Sequence, residues 1–407
     1  MKTKLILILL ILSCKLSMAQ TMNEADIKSH ISYLADDKLQ GREPGTKGEK
    51  LAYKYIQKQF ELFGLKPKGS KGYLQHFEYK TLSTPHDTIG QGKKKNGSNV
   101  VGYLDNQAPY TIVIGGHFDH LGFREHPSSL DKNKMLIHNG ADDNASGTAG
   151  VIALAKYFSQ NNTKEKCNFL FICFSGEEDG LIGSKYFSNN PTIDLKDVQC
   201  MLNMDMIGRL NDSTLKLMVY GVGTSANYSS IFSHLNTTLK LGYDSAGIGP
   251  SDQTSFYLKD IPVLHFFTGQ HSDYHKSSDD TEKINFKGEV MVLDLIIQIA
   301  EKLCDEPKLN FTKTKQPESQ KMSFKVTLGI MPDYTFEGKG LRVDNVTDGK
   351  PAEKAGLKAA DIIMQIGSVT IGNIYDYMKA LGQFNKGDST IVEFMREGKL
   401  QQVDLTF

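Results

Sequence analysis

The 407-residue sequence has no tryptophan, no excess of charge of either sign and few cysteines. Lysine plus arginine and aspartate plus glutamate number 47 each, so the formal net charge is zero. No basic stripe or acidic tract stands out, which argues against nucleic acid as a partner. The lack of tryptophan excludes no class of function. A hydrophobic content of 39% is ordinary for a globular protein, and the length predicts two or three domains.

The five cysteines show no CxxC spacing. Cys14 lies in the N-terminal segment, and Cys173 and Cys200 lie inside apolar runs. Buried free thiols are therefore the prediction for the later cysteines, which include Cys167 and Cys304. A disulfide is the alternative that an exported protein leaves open.

The one long hydrophobic run lies at the start of the chain. Two lysines precede an unbroken apolar segment, residues 5–12, and Ser17-Met18-Ala19 then supplies small residues. This order is typical of a cleaved signal peptide over residues 1–19, and the run is shorter than the ~20 residues that a membrane span needs. A lipid anchor on Cys14 is the alternative. We therefore expect export to the periplasm or the extracellular space, with no transmembrane span.

Residues 23–304 show helix and strand patterns that alternate. Apolar residues at helical spacing predict helices within residues 23–64 and a last helix over 287–303. Short runs rich in Val, Ile, Leu and Phe alternate with helical stretches between them. This alternation predicts an α/β fold with a mostly parallel central sheet flanked by helices. The predicted strands cover residues 110–114, 168–174, 199–203 and 261–267; the predicted helices cover 147–158, 181–187 and 226–239; a loop is predicted at 90–96.

The composition changes after Asp305. Residues 305–321 are polar, with lysine, glutamine, threonine and proline, and this composition is typical of a linker. Residues 322–407 hold short apolar runs and glycine turns, which predict a separate small β-rich domain.

Charged or imidazole side chains follow four of the predicted strands. Loops at the carboxyl ends of parallel strands converge on a crevice, so we expect these side chains to meet there. The four segments are His117-Phe118-Asp119, Ser175-Gly176-Glu177-Glu178, Met204-Asp205 and Asp273-Tyr274-His275, and a fifth, Asp142-Asp143-Asn144, precedes a helix.

Two histidines, several carboxylates and no paired cysteine suit a pair of hydrolytic zinc ions. Two metals ~3.5–4 Å apart polarise a carbonyl and lower the pKa of the water between them. A spare carboxylate must then carry a proton from that water to the leaving amine. The adjacent Glu177 and Glu178 supply one base and one ligand. Each cluster alone would more often be a helix cap or a solvated loop, but their coincidence at one sheet edge favours a metal site.

Residues 23–304 resemble the dinuclear zinc exopeptidase family that includes bacterial leucyl aminopeptidases and glutamate carboxypeptidase. The helix-rich opening, with Leu39-Gln40-Gly41-Arg42, is also similar to that family. The motifs that carry the resemblance occur in this order: Gly115-Gly116-His117-Phe118-Asp119-His120, Asn139 to Gly147, Ser175-Gly176-Glu177-Glu178, Asn203 to Gly208 and Tyr274 to Asp279.

The resemblance implies two zinc ions per chain and a ligand set for each. His117 and Asp205 would hold one ion, and His275 and Glu178 would hold the other. Asp143 would bridge the two ions.

The resemblance also implies roles for neighbours of these ligands. Glu177 would be the general base. Asp119 and Asp279 would orient the two imidazoles. The peptide bond Asp143–Asn144 would be cis.

Within this family, the residues favour an aminopeptidase. The complete ligand set argues against the one-zinc glutaminyl cyclases, and Arg209 is the only arginine near a ligand that could bind a substrate carboxylate. Asp252 is the candidate partner of the substrate amine, and Met206, Phe256 and Tyr274 are candidates for the side-chain pocket. A carboxypeptidase, another amidohydrolase and a non-enzymatic peptide-binding scaffold are the alternatives.

The C-terminal domain resembles a bacterial PDZ domain, chiefly through the segment that runs from Pro351-Ala352 to Asp361. PDZ domains add a peptide as a strand and hold its terminal carboxylate with backbone amides of a glycine-containing loop. Leu328, Gly329 and Ile330 would form that loop here. The expected partner is a peptide or a protein C-terminus.

Overall fold

The computed structural model describes residues 22–80, 94–123, 126, 128–131, 135–314, 326–333, 336, 338–346, 349–372 and 374–407. The predicted signal peptide, Cys14 and residues 315–321 of the predicted linker lie outside these ranges.

The described part of the first domain contains seven helices and eleven strands. The helices are α1 (Glu24–Leu34), α2 (Lys47–Leu62), α3 (Gly147–Gln160), α4 (Ile182–Asn189), α5 (Tyr228–Ser233), α6 (Gln253–Tyr257) and α7 (Phe286–Asp305). The strands are β1 (Lys66–Pro67), β2 (Leu74–Lys80), β3 (Lys94–Leu104), β4 (Thr111–His117), β5 (Gly122–Phe123), β6 (Ile137–His138), β7 (Asn168–Phe174), β8 (Val198–Met204), β9 (Lys216–Tyr220), β10 (Lys240–Asp244) and β11 (Val263–Phe267).

Nine of these strands form one sheet in the order β1-β3-β7-β4-β8-β11-β9-β10, with β2 paired to β3. The four central strands, β7, β4, β8 and β11, are parallel. Strand β3 joins β7 and strand β9 joins β11 in antiparallel fashion, so the sheet is mixed at its flanks. The predicted α/β class is confirmed, and the parallel part of the sheet is its centre.

The sheet is buried on both faces, which explains the unbroken apolar runs of its central strands. Along β7, Phe169 and Phe171 pack into the core beneath α1, α2, α3 and α7. Leu170 and Ile172 point the other way, into the core that Phe187 of α4 and Phe256 of α6 help to form. Because side chains alternate along a strand, each central strand serves both cores.

Two of the local predictions were wrong. The helix predicted over residues 226–239 is only α5, because the hydroxyls of Ser229, Ser230 and Ser233 bond back to carbonyls three residues earlier and compete with helix continuation. Of the loop predicted at 90–96, residues 94–96 are strand, because β3 begins at Lys94 and pairs with β2; residues 90–93 lie outside the described ranges.

The four later cysteines, Cys167, Cys173, Cys200 and Cys304, are buried free thiols, as predicted. Residues 307–314 of the predicted linker pack against the first domain. Leu309 is buried, and the Phe311 ring lies 5.3 Å from that of Tyr257.

The second domain has its own core and a six-stranded antiparallel sheet among the described residues. Its strands are β12 (Ile330–Pro332), β13 (Leu341–Val346), β14 (Ile362–Ile366), β15 (Val369–Thr370), β16 (Ser389–Arg396) and β17 (Lys399–Thr406), and its helices are α8 (Pro351–Lys354) and α9 (Ile374–Leu381). Within the described part of the chain, no helix combines the length and hydrophobicity that a membrane crossing requires.

Candidate metal centre

The register of the parallel strands brings the predicted site residues together. His117 pairs with Phe174, the last residue of β7, so the segment 175–178 begins beside it. Gly115 pairs with Asn203, and two residues further along both strands His117 lies level with Asp205. The carboxyl edge of the sheet therefore gathers an imidazole, the two glutamates and an aspartate, as expected of a parallel α/β sheet.

The His117 ring is fully buried among carboxylates. Its Nε2 lies 3.4 Å from Asp143 Oδ1, 3.4 Å from Asp205 Oδ1 and 3.9 Å from Glu177 Oε2. Burial alone would lower the pKa of His117, but the charges of Asp205 and Glu177 outweigh it and raise the pKa well above its ordinary value.

The His275 ring occupies the other side of Asp143. Its Nε2 lies 3.2 Å from Asp143 Oδ2 and 3.3 Å from Glu178 Oε2. Burial would again lower the pKa of His275, and the charges of Glu178 and Asp143 raise it well above its ordinary value. Both imidazoles therefore lie among carboxylates, an arrangement that suits a bound cation.

Asp143 lies between the two imidazoles and offers one carboxylate oxygen to each. Burial would raise the pKa of Asp143, but the adjacent imidazoles of His117 and His275 hold it well below its ordinary value. The bond Asp143–Asn144 is cis, as predicted.

The spacing of these donors fits zinc. Tetrahedral zinc with nitrogen and oxygen ligands at 2.0–2.2 Å places neighbouring ligand atoms about 3.3–3.6 Å apart. The four imidazole–carboxylate separations around Asp143 are 3.2, 3.3, 3.4 and 3.4 Å. His117 Nε2 is buried and has no hydrogen-bond partner among the described residues, although three carboxylates surround it. A nitrogen that is buried in this way suits a metal better than a proton.

His120 also lies at this site, although the sequence argument gave it no role. His120, Asp143 and Glu178 bring ligand atoms within 4.8 Å of one another, as do His117, Glu177 and Asp205. However, His120 Nδ1 lies only 2.7 Å from Glu178 Oε1, which is a charge-assisted hydrogen bond and closer than two ligands of one zinc ion would lie. This distance favours His275 over His120 as the candidate ligand beside Glu178. In the sequence, the position of His120 three residues after His117 could have indicated that it lies at the site.

Glu177 lies farther from the His117 imidazole than Asp143 and Asp205 do. Its 3.9 Å separation from His117 Nε2 exceeds the spacing of the ligand atoms. Burial and the neighbouring charges of Glu178 and Asp205 raise the pKa of Glu177 well above its ordinary value, against the effect of His117. A carboxyl with a raised pKa is suited to accept and return a proton near neutral pH.

Asp119 links His117 to the segment that carries Glu177 and Glu178. Its Oδ1 lies 3.6 Å from His117 Nδ1, and its carboxylate accepts hydrogen bonds from the amides of Glu177 and Glu178. The hydrogen bond to the His117 ring is made by the backbone carbonyl of Asp119, whose oxygen lies 3.2 Å from Nδ1, rather than by its carboxylate.

Asp279 does not orient His275, in contrast to the sequence expectation. Its Oδ2 accepts hydrogen bonds from the backbone amides of Asp142 and Asp143, each at 3.0 Å, so it fixes the bridging segment instead. The His275 Nδ1 lies 3.0 Å from the carbonyl oxygen of Ser128, which takes over the orienting role.

The predicted substrate-binding residues differ in their exposure and in their distance from the candidate ligands. Asp252 has no exposed surface, and burial raises its pKa to about 7, so its carboxyl cannot meet a substrate amine directly in this conformation. Phe256 is also fully buried, and Met206 is 4% exposed. Tyr274 stacks on His275 with ring centroids 3.8 Å apart and is placed at the site.

In the second domain, Leu328 is buried and Gly329 has φ +76°, which favours glycine. Ile330 begins β12, the terminal strand of the sheet within the described residues. The Gly329 amide donates to Thr327 Oγ1 at 3.0 Å.

Comparisons with known proteins settle the family of the first domain. Residues 99–300 match the model of Peptidase family M28. These residues belong to peptidase family M28. Residues 312–407 match the model of a PDZ domain, which begins ten residues before the predicted boundary at 322. Both resemblances seen in the sequence are thereby confirmed.

The relatives of this chain include leupeptin-inactivating enzyme 1 from Streptomyces exfoliatus, 26% identical over 64% of this chain and 52% of that protein. Aminopeptidase YwaD from Bacillus subtilis is 24% identical over 66% of this chain and 55% of that protein. The chain thus spans about half the length of these curated relatives.

Solved structures share the fold of the M28 domain at low sequence identity. A Zn-dependent exopeptidase from Parabacteroides distasonis has a TM-score of 0.56 and 16% identity, over 70% of this chain and 99% of that one. A glutaminyl cyclase from Bacteroides thetaiotaomicron bound to N-acetylhistamine has a TM-score of 0.56 and 16% identity, over 71% of this chain and 100% of that one. Because the fold carries both activities, the site residues must decide the chemistry.

Proposed function

We propose that this chain is an exported dinuclear zinc aminopeptidase that removes N-terminal residues from peptides, with Glu177 as general base. The observation that carries the proposal is the position of Asp143, whose two oxygens lie 3.4 and 3.2 Å from the Nε2 atoms of His117 and His275. A carboxylate shared in this way is suited to bridge two cations.

His117 and Asp205 would hold one zinc ion, His275 and Glu178 the other, and Asp143 both. Two zinc ions held there supply Lewis acidity toward a peptide carbonyl and lower the pKa of water. Glu178 is prepared for this role because His120 occupies its Oε1 and leaves Oε2, which faces His275, for the ion.

Glu177 would move the proton. Its amide is held by Asp119, so its backbone is fixed relative to His117. Its carboxylate would accept a proton from the attacking water and return it to the leaving amine nitrogen. The raised pKa of Glu177 suits both halves of this transfer.

An aminopeptidase is favoured over a carboxypeptidase by the state of Arg209. Its Nη2 lies 3.2 Å from Asp273 Oδ2, and its Nη1 lies 4.0 Å from Asp279 Oδ1. The charge of the guanidinium is therefore largely offset by two acidic side chains, although its Nη1 makes no hydrogen bond among the described residues.

The proposal includes limits for the domains. Residues 1–19 would be a signal peptide, 23–304 the catalytic domain, 305–321 a linker and 322–407 the PDZ domain. The edge strand β12 and the loop of Leu328, Gly329 and Ile330 would bind the C-terminus of a peptide or protein.

The test combines zinc content with turnover of aminoacyl-amides, N-acetylated controls, C-terminally directed peptides and peptides that begin with glutamine. We expect about two zinc ions per chain and cleavage only where the α-amine is free. Cleavage from the C-terminus, or cyclisation of N-terminal glutamine with a single zinc ion, would replace the proposal with the corresponding activity. Absence of bound zinc after it has been supplied would favour a non-enzymatic scaffold.

A further inference from the structure

Arg42 is fully buried, and its guanidinium is hydrogen-bonded to backbone carbonyls rather than paired with a carboxylate. Nε donates to Phe118 O at 2.6 Å, and Nη1 donates to Leu34 O at 2.6 Å and to Asn139 O at 2.5 Å. Nη2 donates to Gly140 O at 3.0 Å. An arginine that spans four carbonyls uses the planar, forked arrangement of its donors, which lysine lacks.

Two of the segments that Arg42 holds lead directly into the metal centre. Phe118 lies between His117 and Asp119, at the end of β4. Asn139 and Gly140 precede Asp143 by four and three residues. One guanidinium therefore ties the loop of the first imidazole to the loop of the bridging carboxylate.

The backbone around Arg42 is shaped for this contact. Gln40, Gly41 and Arg42 all have positive φ, at 47°, 68° and 53°. A Cβ on Gly41 would meet His138 O at 2.4 Å and Gly122 O at 2.7 Å, so the turn is pressed against the strands β5 and β6. Such conformations persist only where the surrounding structure determines them.

The charge of Arg42 also faces the acidic centre. Burial lowers the pKa of Arg42 to about 10, and the charges of Asp119, Asp143, Asp279 and Glu178 oppose that shift. The side chain therefore remains a cation at neutral pH. A fixed cation behind the bridging carboxylate offsets part of the negative charge that the site gathers.

We propose that Arg42 is a positioning residue for the metal centre: it sets the separation between the His117 loop and the Asp143 loop, and so the spacing of the ligands. This inference rests on the proposed metal-dependent function. The residue touches neither the ligand side chains nor the substrate, and it acts through the carbonyls of Phe118, Asn139 and Gly140.

The test compares Arg42→Lys and Arg42→Gln with wild type in metal-free form. Zinc affinity is measured by competition with a chromophoric chelator, and ligand geometry by the visible absorption of the cobalt(II) protein. The matched control is Ile56→Val, a conservative substitution at a fully buried position on α2. We expect both Arg42 variants to bind zinc about 10- to 100-fold more weakly, as is typical when groups that orient ligands are lost. Their cobalt spectra should change, whereas the control should melt earlier but keep its affinity and spectrum.

The outcomes separate the two proposals. Wild type that binds no zinc overturns the metal-dependent function and this inference with it. Wild type that binds zinc, with folded Arg42 variants of unchanged affinity and spectrum, overturns the role of Arg42 alone. If Arg42→Lys shows no cooperative thermal unfolding, the proposal also fails. Arg42 would then be required for folding of the whole domain and not specifically for positioning the ligands.

Discussion

His120 holds Glu178 by a hydrogen bond from Nδ1 to Oε1 that measures 2.7 Å. The hydrogen bond leaves Glu178 Oε2 directed at His275, 3.3 Å away. The His120 ring is itself buried, and its Nε2 has no partner among the described residues. The site thus contains a third imidazole, which fixes the direction of the Glu178 carboxylate, a candidate ligand.

The role of His120 can be distinguished from that of a ligand. If His120 orients Glu178, His120→Ala should weaken zinc binding about 10- to 100-fold, and His120→Asn, which retains a donor near Nδ1, should recover part of that loss. His275→Ala should remove one ion outright. Zinc content and chelator competition measure both effects. Loss of an ion in His120→Ala, with normal content in His275→Ala, would exchange the two assignments.

Glu177→Gln should keep the metal content of wild type and lower kcat by about 10²- to 10⁴-fold, because the amide cannot take up a proton. Elemental analysis and turnover of an aminoacyl-amide provide the two measurements. Glu301→Gln, which changes an exposed carboxylate on α7, is the matched control and should leave both unchanged. Reduced zinc in Glu177→Gln would make this residue a ligand instead.

Asp252→Asn tests whether Asp252 acts only as a buried charge, as the structure indicates, or binds the substrate amine, as the sequence suggested. Because Asp252 is fully enclosed, the substitution should lower kcat through the charge balance around Glu177 and leave KM unchanged. Steady-state kinetics on free and N-acetylated substrates supply the readout. A raised KM with an unchanged kcat would restore direct contact with the substrate.

Glu289 on α7 should make the stability depend on pH. It is fully buried, both carboxyl oxygens lack a partner among the described residues, and burial raises its pKa well above the ordinary 4.5. The folded protein keeps this proton at pH values where the unfolded chain has lost it. The contribution of Glu289 to the free energy of unfolding therefore falls as the pH rises above 4.5, by up to about 1.4 kcal/mol per pH unit.

Glu289→Gln does not titrate at this position, so its free energy of unfolding relative to wild type should rise between about pH 5 and about pH 8. Denaturant unfolding at several pH values measures the difference, and Glu301→Gln on the same helix serves as the exposed comparison. A difference that stays constant with pH would mean that Glu289 ionises in the folded protein as it does in the unfolded chain.

The sequence by itself indicated which residues gather at the candidate site, but it did not indicate how their side chains are oriented. Unbroken apolar strands that each end in His, Asp or Glu predict a parallel sheet with its site at the carboxyl edge, because loops converge only there. The grouping of His117, Asp143, Glu177, Glu178, Asp205 and His275 followed from that rule together with the family resemblance. The same rule does not predict the direction of a side chain. For this reason the sequence analysis placed Asp279 against His275, although it bonds the backbone of Asp142 and Asp143, and placed Asp252 against the substrate, although it is buried.

Tertiary structure decided what depends on residues far apart in the chain. The partner of His275 is a carbonyl at Ser128, 147 residues away, and the partner of Glu178 is a ring on a different loop. Arg42 lies 76 residues from Phe118 and 98 from Gly140, so no local pattern indicates their contact. Residue types and strand periodicity are local properties that the sequence states directly, whereas the direction of a buried donor is set by whichever acceptor the packed chain places beside it.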